Sequence, residues 1–468
     1  MRYFKLLVLV LVSVALFFIF TRLTLAIYDP RSVSNNYFGM HIVDPSDLKE
    51  VAKLVNSNGG NWGYVTLVIQ KGERDPKRWQ KVFDEMRRLQ LIPIVRVATA
   101  PIGNIWEKPN VDEIDGWVSF LNSLNWVIKN RYVTVGNEPN HAKEWGGQVN
   151  PKEYASYLRL FSQKLKASNE DFFIMPAGFD ASASNSRVSM DEALYLEKMF
   201  EADKDVFKDI DGWASHSYPN PAFAGPGNGY GKGTVRTYDW ELTYLKYLGY
   251  KPDLPVFITE TGWVHDGELE TNIGPRIEIA FKDVWGKDSR IVAVTPFIFK
   301  YVDAPFDVFS WKRKDGQFYD YYNNVLGLNK PRGEPIQEDK ADILTGILPK
   351  IATSNSVYNG ILFIKNTGQS IWGNGDIKMS TAKGESLTVE SMFPESIEPG
   401  QIGIFLVKGT YPNLGGNYDI NIELLKNEKV FNQQFKTSTN LIPGIPTLGD
   451  IVNYVRRAIS RWLIKIFP

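Results

Sequence analysis

The stretch Tyr132-Val133-Thr134-Val135-Gly136-Asn137-Glu138-Pro139-Asn140 opens as an aromatic and β-branched run and closes on a glycine, an amide and a carboxylate. A run without polar alternation reads as a strand covered on both faces, as in a parallel sheet. The polar end then belongs to the loop that leaves the strand's C-terminal edge. Seven further runs of the same kind flank it: Tyr37–Ile42, Tyr64–Gln70, Ile92–Thr99, Phe173–Phe179, Gly212–Ser217, Pro255–Thr259 and Ile291–Phe299. Successive runs start 27 to 43 residues apart, which leaves room for a helix and two loops between strands. The intervening segments carry helical periodicity at Asp47–Val55, Pro76–Leu89 and Tyr154–Leu165, with Trp79, Val82, Phe83, Met86 and Leu89 on one face of the second. Asp44, Asp75 and Asn150 each precede a proline, which suits an N-cap followed by a first-turn proline. Eight strand–helix units across residues 30–328 predict an α/β fold, a (β/α)8 TIM barrel; an open doubly wound sheet is the alternative.

Composition narrows the chemistry. The 468 residues contain no cysteine and four histidines, His41, His141, His216 and His265. Thiolate nucleophiles, iron–sulfur clusters, cysteine-ligated zinc and disulfide scaffolds are thereby excluded. No metal site and no cofactor is expected, and carboxylates are left to carry any reaction. Lys+Arg and Asp+Glu both number 53, so the chain lacks the positive footprint of a nucleic-acid partner.

The two ends differ from the middle. Arg2 and Lys5 precede the apolar run Leu6–Phe20, broken only by Ser13, so residues 1–27 read as a signal peptide or a signal anchor. The positive flank places the body of the protein outside the cytoplasm, membrane-anchored or secreted. Residues 329–347 read as a linker. Residues 348–440 hold short alternating segments separated by turn signals, as in a β-sandwich. Within them Asn366-Thr367-Gly368, Trp372, Pro399-Gly400 and Gly416-Asn417-Tyr418 resemble the four-tryptophan Ig-like domain, with Trp372 the one tryptophan of that pattern present. That resemblance implies a structural or adhesive module. Residues 448–467 space Ile451, Val455, Ile459, Trp462 and Ile466 along one face of a basic amphipathic helix, which either lies in a membrane interface or packs back on protein.

The fourth expected strand ends in Asn137-Glu138-Pro139 and the seventh in Thr259-Glu260-Thr261-Gly262-Trp263. In a barrel these ends share the C-terminal rim and face each other across its mouth. A pair of carboxyl groups so placed is what glycosidic cleavage needs, one protonated to release the leaving oxygen and one ionised. The sequence resembles the clan of retaining glycoside hydrolases with (β/α)8 barrels, the "4/7" superfamily, and its cellulase-like members. The resemblance implies Glu138 as acid/base, Glu260 as nucleophile and Asn137 as a ligand of the substrate 2-hydroxyl. It also implies that His216 and Tyr218, on one face of strand six, line the site, with the Tyr218 hydroxyl on the nucleophile. Arg96 is a charge within an otherwise apolar strand and needs a carboxylate partner, Glu260 or Glu138.

The aromatic residues number 27 Phe, 22 Tyr and 13 Trp. Trp79, Trp117, Trp126 and Trp240 are expected on helices, filling the outer core. Trp106, Trp145, Trp263 and Trp311 follow strands and so lie near the rim, where indoles can stack on sugar C–H faces. Trp263 and Trp311 are the expected substrate contacts, Trp311 as the platform beside the cleaved bond. The glycine-rich loop Pro219–Val235 is expected either to cover the cleft or to be a long surface loop. The resulting expectation is a retaining O-glycosidase acting on a β-linked oligo- or polysaccharide at the cell envelope. A non-catalytic carbohydrate-binding or adhesion protein and a transglycosylase are the alternatives.

Overall fold

A computed structural model describes residues 27–443, apart from 251–252, 266–269 and 382–385. The chain divides into two units, one ending at Ile336 and the other beginning at Gln337.

The first unit contains eight parallel strands in chain order: β1 (Gly39–Ile42), β2 (Gly63–Gln70), β3 (Leu91–Ala98), β4 (Arg131–Val135), β5 (Phe172–Pro176), β6 (Trp213–His216), β7 (Val256–Glu260) and β8 (Ile291–Val294). β1 to β5 pair consecutively, as do β6 to β8. The sheet curls until its two seams meet, through single parallel bridges between Asp180 and His216 and between Phe38 and Val294. Tyr64, Tyr132, Phe173 and Phe257, from β2, β4, β5 and β7, touch one another inside the curl, with Tyr132 4.9 Å from Phe173 and 5.0 Å from Phe257. Rings from opposite strands therefore fill its floor and leave the C-terminal edges to carry polar groups.

Helices α1 (Leu48–Val55), α2 (Pro76–Arg88), α3 (Ile114–Ser123), α4 (Pro151–Ser168), α5 (Glu192–Ala202), α6 (Thr237–Tyr247), α7 (Glu270–Ile279) and α8 (Asp320–Leu326) intervene. Asp75 and Asn150 accept from the backbone N–H of Lys77 and Glu153 at the starts of α2 and α4, and Asp44 accepts from that of Ser46 before a 3-10 turn. Trp79, Phe83 and Met86 of α2 are buried. Trp117 and Trp126 are buried too, but Trp126 follows α3 instead of lying on it, and Trp240 is half-buried against Tyr244.

Five expected strands, β1, β4, β5, β6 and β8, are shorter in the structure. β5 stops at Pro176 and β8 at Val294, two residues before Pro296, whose missing N–H cannot extend a ladder. The expected linker 329–347 is also corrected. Lys330 is buried, its ammonium donating to Ser57 Oγ at 2.6 Å and to the Val325 carbonyl at 2.8 Å, and Ala341–Ile347 is a strand. Polar and Pro/Gly content suggested a linker, but backbone pairing and one buried cation fix the segment.

Between β6 and its covering helices the carboxyl groups of Glu192 and Glu241 face each other out of water. Trp213 Nε1 donates to Glu241 Oε2 at 3.0 Å. Burial raises both acids above the ordinary range, and the charge of Glu241 raises Glu192 further. Protonation of the pair, which burial favours, supplies a donor among oxygens otherwise buried without one. Because the folded values lie above the unfolded ones, this stabilisation is complete below the ordinary glutamate range and declines as pH rises from there, by about 1.4 kcal/mol per pH unit for each proton withheld. Glu192→Gln is expected to flatten that decline, measured by urea midpoints between pH 4 and 8.

The second unit is all-β. Its strands are β9 (Ala341–Ile347), β10 (Ile351–Thr353), β11 (Val357–Asn366), β12 (Lys378–Thr381), β13 (Ser386–Phe393), β14 (Ile402–Thr410), β15 (Gly416–Lys426) and β16 (Lys429–Ile442). They lie in the order β9-β11-β14-β13-β12-β15-β16-β10, antiparallel except for β10 beside β16. β11 and β14 alternate buried and exposed residues, the pattern of strands with one face on a core. Trp372 is fully buried there, stacked on Phe431 at 5.8 Å.

No helix among the described residues is long and apolar enough to cross a membrane. Residues 1–26 of the expected anchor and the whole of the expected helix 448–467 lie outside the described residues.

Candidate active site

The β4 run ends at Val135, and the backbone then turns through Gly136 at φ +91° and Glu138 at φ +30°. Glu138 is held in that left-handed conformation at both ends. Its N–H donates to the Gly178 carbonyl at 3.0 Å and its carbonyl accepts from His141 N–H at 2.9 Å. A positive φ at a non-glycine residue persists only where the surroundings enforce it, and such residues cluster at functional sites. Glu260 is the last residue of β7. The β6–β7 register slips there, pairing Ser215 with Ile258 but His216 with Glu260, so one residue, Thr259, is passed over. A bulge of this kind re-aims the side chains beyond it.

The turn and the bulge bring together the residues expected from the sequence. His216 Nδ1 lies 3.0 Å from Glu138 Oε1 and 3.8 Å from Glu260 Oε2. The Tyr218 hydroxyl donates to Glu260 Oε2 at 3.0 Å. Arg96 Nη1 donates to Glu260 Oε1, and to Asn137 Oδ1 at 2.6 Å. Of its two possible carboxylate partners, Arg96 thus takes Glu260.

Electrostatics separate the groups. Burial alone would raise the Glu260 carboxyl, but the charges of His216 and Arg96 outweigh it and hold the group down to about 2. His216 is raised, since Glu260 and Glu138 more than offset the opposing effect of burial. Burial, together with the charges of Glu260 and Glu138, keeps Tyr218 protonated and able to donate. One oxygen each from Glu138 and Glu260 and one nitrogen of His216 lie within 4.8 Å of one another, the only grouping among the described residues that could ligate a metal. Both oxygens of Glu260 already accept, Oε1 from Arg96 and Oε2 from Tyr218, so a divalent ion would compete with a guanidinium on one and a hydroxyl on the other. The donor set suits an ion-paired carboxylate better than a metal.

Two expected substrate contacts are corrected. Trp311 is 2% exposed, packed edge-on against Tyr321 at 5.3 Å, and belongs to the core. Trp263 is 4% exposed, and its Nε1 donates to the Gly225 carbonyl at 2.8 Å. Each indole anchors a loop and offers no free face. Trp145 is buried as well, with Nε1 on Glu153, while Trp106 stays half-buried in a short ribbon after β3. The loop Pro219–Val235 is tied down: Arg276 donates to the Ala224 carbonyl, and a Cβ on Gly227 would stand 2.0 Å from the Arg276 carbonyl oxygen.

A cluster of phenylalanines lies beside the site. Phe297, half-buried just after β8, lies 5.2 Å from the His41 ring and 5.6 Å from Phe306, which is 39% exposed. Phe309 and Phe223 continue this wall to Tyr218. His41 was also not foreseen. Its Nε2 stands 3.7 Å from Glu260 Oε1, and burial and Arg96 push it down to about 3, so the ring is neutral. A lone histidine in an apolar strand, Met40-His41-Ile42, was its only signal. Glu144, six residues beyond Glu138, is a third carboxyl at the site, and nothing in the sequence distinguished it from an ordinary loop acid.

No protein-family profile matches the chain, and no curated protein matches it in sequence. Solved structures do. A monomeric β-xylosidase from Caulobacter crescentus is similar at 11% identity and a TM-score of 0.43, over 72% of this chain and 74% of its own. A family 51 α-L-arabinofuranosidase from Bifidobacterium longum is similar at 9% identity and a TM-score of 0.44, over 82% and 97%. A β-mannanase from Thermomonospora fusca, solved with mannohexaose, is similar at 13% identity and a TM-score of 0.41, over 63% and 90%.

Proposed function

We propose that the first unit is a (β/α)8 glycoside hydrolase that cleaves β-linked glycans with retention of configuration. The observation that carries this reading is the spacing of the two acids. Oxygens of Glu138 and Glu260 lie within 4.8 Å. That closest approach, with His216 in contact with one acid and beside the other, supports the shorter separation of retaining enzymes, about 5–5.5 Å between carboxyl groups, over the roughly 6.5–9.5 Å of inverting ones.

In this reading the Glu260 carboxylate attacks the anomeric carbon as the bond to the leaving oxygen breaks, and Glu138 gives that oxygen its proton. A proton on the 3.0 Å contact between His216 and Glu138 is within reach of the acid. Water then attacks the glycosyl–Glu260 ester and gives its proton to the Glu138 carboxylate, and Glu260 leaves as a carboxylate. Tyr218 and Arg96 hold Glu260 in line, Asn137 meets the 2-hydroxyl, and the wall from Phe297 to Phe223 faces the sugar. We assign the chain to the cell envelope on its N-terminal segment, and the second unit to an Ig-like role of attachment or spacing.

The test is a panel of aryl β-glycosides and β-linked polysaccharides, with the first product followed by proton NMR. The β-anomer is expected to appear first. An α-anomer would remove the retaining mechanism, and glycan binding without turnover across the panel would favour adhesion. Excess sugar acceptor in the same assay separates transfer from hydrolysis.

A further inference from the structure

We propose that the cleft between the loops after β5 and β6, with the His141–Asp180 pair beside it, is the subsite for the leaving group, and that it takes an uncharged sugar; the inference rests on the hydrolase reading above.

In that reading Glu138 protonates the leaving oxygen, so the group that departs lies over the loops next to β4. Toward β3 there is little room: the cavity lined by Arg96, Trp106, Asn137, Glu144 and Trp145 holds about 40 Å³. Toward β6 a cleft of about 570 Å³ opens, lined by Ala181, Ser182, Asn220, Ala222, Lys232 and Thr234. Sites for small ligands run from about 300 to 1,000 Å³, so of the two only the second holds a sugar residue.

The backbone joins this cleft to the reacting groups. Asp180, which precedes Ala181 and Ser182, forms a parallel bridge with His216, whose Nδ1 is 3.0 Å from Glu138 Oε1. Asn220 N–H donates to the Tyr218 carbonyl at 3.0 Å, and Phe223 packs on the Tyr218 ring at 5.1 Å. Ala222 and Phe223 both stand at φ +55°, a conformation that non-glycine residues keep where the surroundings enforce it, often at ligand sites.

The polar groups beside the cleft select the ligand. Asp180 Oδ2 is 2.7 Å from His141 Nε2, and Oδ1 accepts from the Ser182 N–H at 2.8 Å and the Ser182 hydroxyl at 2.6 Å. Burial alone would raise the Asp180 carboxyl, but these donors outweigh it and hold the group down to about 2. An ionised carboxylate only accepts, so Nε2 carries its hydrogen toward Asp180 and the ring is fixed. The other ring nitrogen, Nδ1, makes no hydrogen bond among the described residues, and the side chain is 22% exposed. A hydroxyl both donates and accepts, so it meets Nδ1 in either protonation state. Lys232, the cation of the lining, is committed to Asp191 and lies over the Trp240 ring at 4.9 Å. With that charge taken and Asp180 anionic, the cleft favours hydroxyl groups over a carboxylate or a sulfate.

The test uses the full chain and two substrates with one glycone: the p-nitrophenyl β-glycoside that turns over fastest in the panel, and the β-linked disaccharide of the same sugar. In His141→Ala the ratio of kcat/KM, disaccharide over aryl glycoside, is expected to fall roughly ten-fold, the worth of one hydrogen bond. A disaccharide with a uronic acid in the leaving position should be cleaved no faster than the neutral one; faster cleavage overturns the uncharged class. A readout independent of turnover, and of whether His141→Ala folds, follows the ring signals of the four histidines by NMR in Glu260→Gln. The disaccharide should shift His141 saturably, and the methyl glycoside of the single sugar should not. An unchanged kcat/KM ratio, or a disaccharide that moves His216 and leaves His141 in place, overturns the subsite while the hydrolase reading stands. If no glycoside is cleaved and no glycan moves either ring, the hydrolase reading fails and the subsite with it.

Discussion

Glu260→Gly is expected to lower kcat on an aryl β-glycoside by about four orders of magnitude or more, as loss of a covalent nucleophile does in other enzymes. Sodium azide should restore turnover and yield the α-glycosyl azide. The anion fits where the carboxylate stood, attacks the anomeric carbon from that face, and leaves inverted product that the variant cannot process. Two controls separate chemistry from folding. Removing Glu260 leaves Arg96 without its carboxylate, and breaking a buried ion pair from one side costs about 3–5 kcal/mol. Melting curves of Glu260→Gly and of the isosteric Glu260→Gln should therefore be recorded beside the kinetics. A β-azide, or no rescue in a folded variant, would remove Glu260 as nucleophile. Since Arg96 and His216 hold the Glu260 carboxyl down to about 2, the acid limb of kcat/KM above pH 4 should not belong to this residue.

Glu138→Ala is expected to act selectively. On glycosides with poor leaving groups kcat/KM should fall roughly 10²- to 10⁴-fold, the usual worth of general acid catalysis. On a dinitrophenyl glycoside, whose phenolate leaves unprotonated, formation of the glycosyl ester should be nearly unaffected and its breakdown should become limiting. Azide, which needs no general base, should then accelerate turnover and give the β-glycosyl azide. A loss independent of the leaving group would mean that Glu138 shapes the site without donating a proton. The opposite azide anomers from Glu138→Ala and Glu260→Gly together assign the two carboxyl groups.

Much of this arrangement was readable along the chain. Eight β-branched runs at strand–helix spacing gave the succession of strands along the chain, and Asn137-Glu138-Pro139 and Glu260 marked the ends of the fourth and seventh. His216 and Tyr218 were expected together on strand six, but β6 ends at His216 and a tight turn, with Tyr218 N–H donating to the His216 carbonyl at 3.0 Å, brings Tyr218 to the site. The indoles were misread for a related reason. Trp263 and Trp311 lie in loops, where position along the chain does not fix direction, and tertiary contacts turned one toward the Gly225 carbonyl and the other toward Tyr321. His41 and Glu144 escaped notice because neither sits in a motif; each matters through neighbours distant in sequence or across a turn.

The sequence by itself determined the number and succession of the strands, the exclusion of thiolate chemistry through the absence of cysteine, and the two acids proposed to carry the reaction. These follow from periodicity and residue type, which are local properties. Only the tertiary structure decided that Arg96 pairs with Glu260, that Trp263 and Trp311 turn into the core, and that the β6–β7 bulge aims Glu260 at His216. Those outcomes depend on curling the sheet until residues far apart along the chain converge, and on the competition of buried charges for one another, which no local pattern encodes.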